Sequence, residues 1–118
     1  MTAPDPAGPA VVAGLDVDVL AAAVRGCAAV ADLSGGLLGS VGTYLPGRRV
    51  PGLVVQERAG GQPPGIEVHV VARFGPTMAE VASQVRAALA MAAPNTPVDL
   101  VIDDIDTDTR TVRVIAPH

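Results

Sequence analysis

The stretch from Ile66 to Ala93 constrains the fold more than any other part of the chain. Ile66, Val68, Val70, Ala72 and Phe74 alternate with Glu67, His69, Val71 and Arg73. Successive side chains of a strand point to opposite faces, so this spacing predicts a strand with one apolar and one largely polar face. A sheet built on it is covered on one side only. Gly75-Pro76 breaks the strand, and Thr77 with Glu80 forms a capping box, which opens a helix by satisfying free N–H groups of its first turn. Met78, Val81, Ala82, Val85, Ala88, Leu89 and Ala92 then make a continuous apolar stripe, with Glu80, Ser83, Gln84 and Arg86 outside it. Pro94 ends that helix after Ala93. A half-polar strand feeding an amphipathic helix buries its apolar surface by layering helix on sheet.

The remaining elements are read in the same way. Val17, Leu20, Val24 and Cys27 recur at helical spacing, which predicts a helix over Val17 to Arg25. Asp16 caps its start, and Gly26 suits a left-handed residue at its end. Cys27 to Leu33 is an apolar run that predicts a strand, closed by Ser34-Gly35-Gly36. Leu37 to Gly47 reads as a long loop or a short broken helix. Val50 to Glu57 predicts a strand with Leu53 and Val55 on one face, and Arg58 to Gly65 a hairpin loop. Val98 to Ile105 predicts a last strong strand, with Val98, Leu100 and Ile102 opposite Asp99, Val101 and Asp103. Asp106 to Thr109 reads as a turn. The expected fold is an α+β two-layer sandwich in the order helix, strand, strand, strand, helix, strand. Its sheet is mostly antiparallel and both helices lie on one face. Residues 1–12 are expected to be a flexible tail, residues 13–107 the domain, and residues 108–118 a C-terminal edge strand or tail.

Composition narrows the function classes. The 118 residues suit one small domain, and 49% apolar with 17% charged residues fits a globular chain. A net charge of -4 argues against gripping phosphate backbones, so no nucleic-acid partner is expected. One Phe, one Tyr and no Trp leave no stacking platform for bases. A single Cys excludes an intrachain disulfide and a multi-thiolate zinc site. The first residues lack the basic start of a signal peptide, and the apolar run from Ala87 to Ala93 is far short of the ~20 residues that span a bilayer. A cytoplasmic location is expected, with any membrane association made through a partner and no direct insertion.

No constellation carries catalysis. The histidines are His69 and His118; His69 is expected to be an exposed strand residue on a polar face. Ser40 lies in Leu38-Gly39-Ser40-Val41-Gly42, which misses the first glycine of a nucleophile elbow. Cys27 sits in an apolar run and reads as an inert thiol. Asp104, Asp106 and Asp108 have the alternate spacing of a calcium loop, but Thr109 stands where that loop needs Gly and Ile115 where it needs Glu. Those acids read as a solvated strand end and turn. The glycines between Gly35 and Gly42 are followed by no Lys and hold no GxGxxG. No catalytic residue, metal or cofactor is assigned. The segment from Tyr44 to Gly52 is the most promising surface, because it holds the sole Tyr and the sole adjacent basic pair, Arg48-Arg49. Arg forks pair with carboxylates or phosphates, and Tyr adds a rigid amphipathic contact. Tyr44, Arg48 and Arg49 are therefore candidate partner-binding residues. The competing reading pairs both arginines with the chain's own acids, for example those between Asp103 and Asp106.

Four strings of the sequence carry a family resemblance. They are Val24-Arg25-Gly26-Cys27-Ala28-Ala29-Val30-Ala31-Asp32-Leu33-Ser34-Gly35-Gly36, Thr43-Tyr44-Leu45-Pro46-Gly47-Arg48-Arg49-Val50-Pro51-Gly52, Glu67-Val68-His69-Val70-Val71-Ala72-Arg73-Phe74-Gly75, and Pro97-Val98-Asp99-Leu100-Val101-Ile102-Asp103-Asp104-Ile105-Asp106. In order and spacing they resemble the alkaline shock protein (envelope stress response) family in its actinobacterial form, over Val12 to Asp106. Cys27 stands where that family usually has Val. The resemblance implies a non-enzymatic cytoplasmic protein of cell-envelope homeostasis. It also implies self-association as a homo-oligomer and, for some members, a membrane-anchored partner of the same family. It supplies no catalytic motif. The alternative is a regulatory α+β domain that senses a small molecule at a dimer interface.

Overall fold

The structure, a computed structural model, describes residues 11–36 and 38–107. The expectations for residues 1–10, for residues 108–118 and for Leu37 lie outside the described residues. Among the described residues ten elements follow in chain order: β1 (Val11–Val12), β2 (Leu15–Asp16), α1 (Val17–Arg25), β3 (Val30–Leu33), β4 (Gly42–Leu45), β5 (Arg48–Pro51), β6 (Leu53–Gln56), β7 (Gly65–Arg73), α2 (Met78–Ala92) and β8 (Val98–Asp106). This is an α+β fold with two helices and a mostly antiparallel sheet.

The helices form where their caps and stripes place them. The Asp16 carboxylate accepts the N–H groups of Asp18 and Val19, and Val17, Leu20, Ala21 and Val24 are buried. Gly26 closes α1 with φ at -76°, so it is right-handed, contrary to the left-handed cap expected. Its N–H reaches Ala22 O within the same helical spiral, and no reversal is needed. Thr77 and Glu80 form the reciprocal capping box of α2, and Val81, Val85 and Leu89 are buried. Met78, at the head of the predicted stripe, is exposed because the first turn of α2 overhangs the core. These side chains join Val30, Leu33, Leu53, Ile66, Val68, Val70 and Ala72 in one aliphatic core. Full burial of each Val or Leu contributes roughly 1.5–3 kcal/mol.

β7 is the central strand. β8 pairs with it in parallel along one edge, from Ile66↔Val98 to Arg73↔Asp106. Two short antiparallel strands share the other edge: β6 covers Gly65 to Val68 and β3 covers Val70 to Ala72. At the junction the His69 N–H donates to Gly52 O, and His69 O accepts the N–H of Ser34, both at 2.8 Å. The His69 N–H and carbonyl, which neither short strand would otherwise reach, therefore both find partners at the junction.

Several expectations are corrected. The strand predicted over Cys27 to Leu33 begins only at Val30, because Gly26 to Ala29 make the tight turn out of α1. The strand predicted over Val50 to Glu57 is two strands, broken at Gly52 with φ at +81°. The segment Leu37 to Gly47 is neither loop nor broken helix throughout, since Gly42 to Leu45 pairs with Arg48 to Pro51 as a hairpin. Pro46 and Gly47 turn it, Gly47 taking φ at +78°. β7 stops at Arg73, so Phe74 is 77% exposed rather than on the inner face.

A Cβ on Gly52 would lie 2.8 Å from His69 O and 2.8 Å from the Leu33 Cβ, whereas one on Gly47 would meet nothing within 4 Å. Both glycines have positive φ, so an alanine pair separates backbone strain from crowding. Gly47→Ala is expected to cost about 1 kcal/mol. Gly52→Ala adds the cost of overpacking, a further ~1–3 kcal/mol. Thermal unfolding of the two variants checks this; equal losses would remove the junction's steric role.

Candidate functional site

The hairpin β4–β5 carries the residues singled out in the sequence. Tyr44 and Arg49 face each other across the ladder, and the Arg49 guanidinium lies 5.5 Å from the Tyr44 ring centroid. The ring's negative face attracts that cation. Arg49 also donates to Val41 O at 2.9 Å and to Gly39 O, which fastens the preceding loop to the hairpin. Arg48 makes a two-pronged contact with Asp18 in the first turn of α1, at 2.9 and 2.5 Å. These hydrogen bonds hold the Asp18 carboxyl below the usual carboxylate range, against a smaller opposing effect of desolvation. Leu45 and Val50 are buried beneath, and the Thr43 hydroxyl donates to Leu53 O at 2.5 Å. The hairpin is thus fixed to the body, and Tyr44 stands 71% exposed at its surface. Both arginines engage the chain's own groups: Arg48 the Asp18 carboxylate, and Arg49 the carbonyls of Gly39 and Val41.

A second constellation lies on the outward face of the sheet, where sequence reasoning expected an exposed histidine. The His69 side chain is only 12% exposed. Its Nε2 lies 2.5 Å from Glu67 Oε2, and its Nδ1 lies 3.0 Å from Asp103 Oδ2. Gln56 of β6 donates to the other Glu67 oxygen at 3.0 Å. The reason is a register shift. Val70 pairs with Ile102 but Val71 with Asp104, so Asp103 is an extra residue bulged out of β8. A bulge re-aims side chains, and here it brings a carboxylate to the imidazole. Burial works against the charged ring, but hydrogen bonds and charge from Glu67 and Asp103 outweigh it, and the His69 pKa is raised. The pair Glu67-x-His69 was visible in the sequence as neighbours on one strand face. Asp103 was not, because its place depends on the parallel pairing and the bulge.

Beside this cluster an open cleft of about 420 Å³ is lined by Met78, Ile102, Asp103, Asp104, Ile105 and Thr107. Asp104 and Asp106 belong to β8, so the expected turn starts no earlier than Thr107; Asp108 lies outside the described residues. Among the described residues no group of three or more His, Cys, Asp or Glu is placed to hold a metal ion. Ser40 lies in the loop before β4. The Cys27 thiol lies 3.5 Å from the carbonyls of Ala23 and Gln84, and burial pushes its pKa up, which disfavours the reactive thiolate. Among the described residues no helix is long and apolar enough to cross a membrane. Comparisons of the chain with protein-family models, curated proteins and solved structures found no match.

The Arg48–Asp18 contact is half-exposed and is expected to couple weakly. Asp18→Asn and Arg48→Met, made singly and together, should give a coupling of about 0.5 kcal/mol in chemical denaturation at neutral pH. The Asp18 pKa is lowered on folding, so the coupling is present above the ordinary carboxylate value and is lost as pH falls through the lowered one. Zero coupling at neutral pH would mean that the hairpin is held without the ion pair, by contacts such as the packing of Leu45 and Val50 and the Thr43 bond to Leu53 O.

Proposed function

We propose that this chain is a non-enzymatic contact module of cell-envelope homeostasis, which self-associates and docks a membrane-anchored partner of similar fold through the β4–β5 hairpin. The observation that carries this reading is the exposed Tyr44 on an anchored hairpin. The chain has one Tyr and one Phe, and both stand outside an entirely aliphatic core. An amphipathic ring held rigid before contact gives area at low entropic cost. Arg49 beneath it adds a cation to an otherwise acidic body. The envelope setting rests on the sequence strings described above and is part of the proposal. So is the absence of catalysis.

The test is size-exclusion chromatography with light scattering across a concentration series. Tyr44→Ala leaves the core untouched and is expected to shift self-association to at least about tenfold higher concentration, the size of a 1.4 kcal/mol loss. Salt near 1 M, where the screening length is ~3 Å, is expected to weaken it as well. An unchanged mass profile for Tyr44→Ala, or a monomer at every concentration, would sink self-docking through this surface.

A second reading, a small-molecule-sensing domain, is favoured by the cleft between Met78 and Thr107. A bound ligand stabilises the folded state by mass action. A thermal-shift screen that raises the melting temperature of wild type but not of Asp104→Leu would favour this reading over docking.

A further inference from the structure

We propose that Glu67, His69 and Asp103 form a pH-sensitive latch, which locks the β7–β8 bulge while the imidazole is protonated and releases the C-terminal half of β8 when it is not. The argument starts from donors and acceptors. A neutral imidazole has one N–H donor and one bare nitrogen, whereas the protonated ring donates from both. In this structure each ring nitrogen faces a carboxylate oxygen, at 2.5 and 3.0 Å. Only the imidazolium satisfies both. The neutral ring turns one lone pair against an anion.

The location gives that chemistry a mechanical consequence. Asp103 is the bulged residue of β8, and the residues after it take their register from how the bulge is held. The ladder before it, Ile66↔Val98 to Val70↔Ile102, is regular. The segment beyond it, Asp104 to Asp106, pairs with Val71 to Arg73 at the end of both strands. Asp103 and the neighbouring Asp104 also line the cleft, so the bulge that carries one carboxylate of the latch is part of the cleft wall.

The charges around the ring favour the closed state at low pH and its release at high pH. On β7, Glu67 is in contact and Arg73 stands two outward positions further along. On β8, Asp103 is in contact, Asp99 pairs with Glu67, and Asp104 pairs with Val71. On β6, Gln56 is neutral and props Glu67. On β3, Asp32 pairs with Val71 and is engaged by Arg25 at 3.2 Å. Protonated His69 is the cation that touches both Glu67 and Asp103. Its loss leaves like charges opposed across the bulge.

The sign follows from linkage. The His69 pKa is raised on folding above the ordinary value of about 6.5. The latch is therefore fully closed below that value and is lost as pH rises through the raised one.

The test is an NMR titration of the full chain with amide exchange measured alongside. The chain has two histidines, so His69→Gln assigns the His69 signal by its disappearance. The imidazole is expected to titrate above about 6.5, and Glu67→Gln and Asp103→Asn are each expected to lower its midpoint. Protection factors over Asp104 to Asp106 should fall as pH rises through the midpoint, by up to about tenfold for each unit by which His69 is raised. Asp103→Asn, which keeps the shape of the side chain, should shrink that fall, and His69→Gln should abolish it. An imidazole that titrates at or below the ordinary value would overturn the latch. So would protection at Asp104 to Asp106 with the same pH course in wild type and Asp103→Asn.

Discussion

Two short strands share one edge of β7, and the rest of the structure depends on how they meet. A strand buried on its inner face has to satisfy its N–H and C=O groups along both edges. β8 does this on one side without interruption in pairing partner. On the other side β6 ends and β3 takes over at His69, whose N–H and carbonyl are claimed by Gly52 and Ser34. Only a residue without a Cβ fits the positive φ and the 2.8 Å approach at that point. The chain entering the junction from β5 and the chain leaving β3 are both placed by it. The β4–β5 hairpin is therefore delivered to α1, where Arg48 meets Asp18.

The same residue serves two layers of organisation. The backbone of His69 closes the sheet junction, while its side chain gathers Glu67 and Asp103 on the outward face. The inner face is aliphatic and rigid, with Ile66, Val68, Val70 and Ala72 fully buried. Packing of that kind transmits register rather than yielding to it. A bulge on the neighbouring strand is thus the place where the ladder accommodates a change, and a titratable group stands at it. The hairpin contacts and the latch contacts use different side chains.

Much of the fold was legible in the sequence because the signals were local. The Val17 to Arg25 helix, its Asp16 cap, the Thr77–Glu80 capping box and the alternation of β7 all depend on spacings within one element. The errors share a different cause. Phe74 continues the alternation by one residue, yet β7 ends before it. Val50 to Glu57 reads as one run, yet Gly52 turns in the middle to meet a strand 17 positions later. Met78 belongs to the stripe of α2 but overhangs the core. In each case the deciding contact lies outside the segment that carries the pattern. The candidate site divides along the same line. Rarity and adjacency mark Tyr44, Arg48 and Arg49 in the sequence, but nothing local marks their partners Asp18, Gly39 and Val41.

By itself the sequence determined the α+β class, both helices with their starts, the polarity of the central strand and the absence of an aromatic core. Periodicity and capping act within a few residues, where the chain needs no tertiary partner to express them. Tertiary structure alone decided that His69 is enclosed rather than exposed, that Asp103 and not Asp99 reaches it, and that Arg48 meets Asp18 while Arg49 meets the carbonyls of Gly39 and Val41. Those outcomes depend on strand register. A shift of one residue in a ladder changes which side chain faces which, and no local pattern records where such a shift occurs.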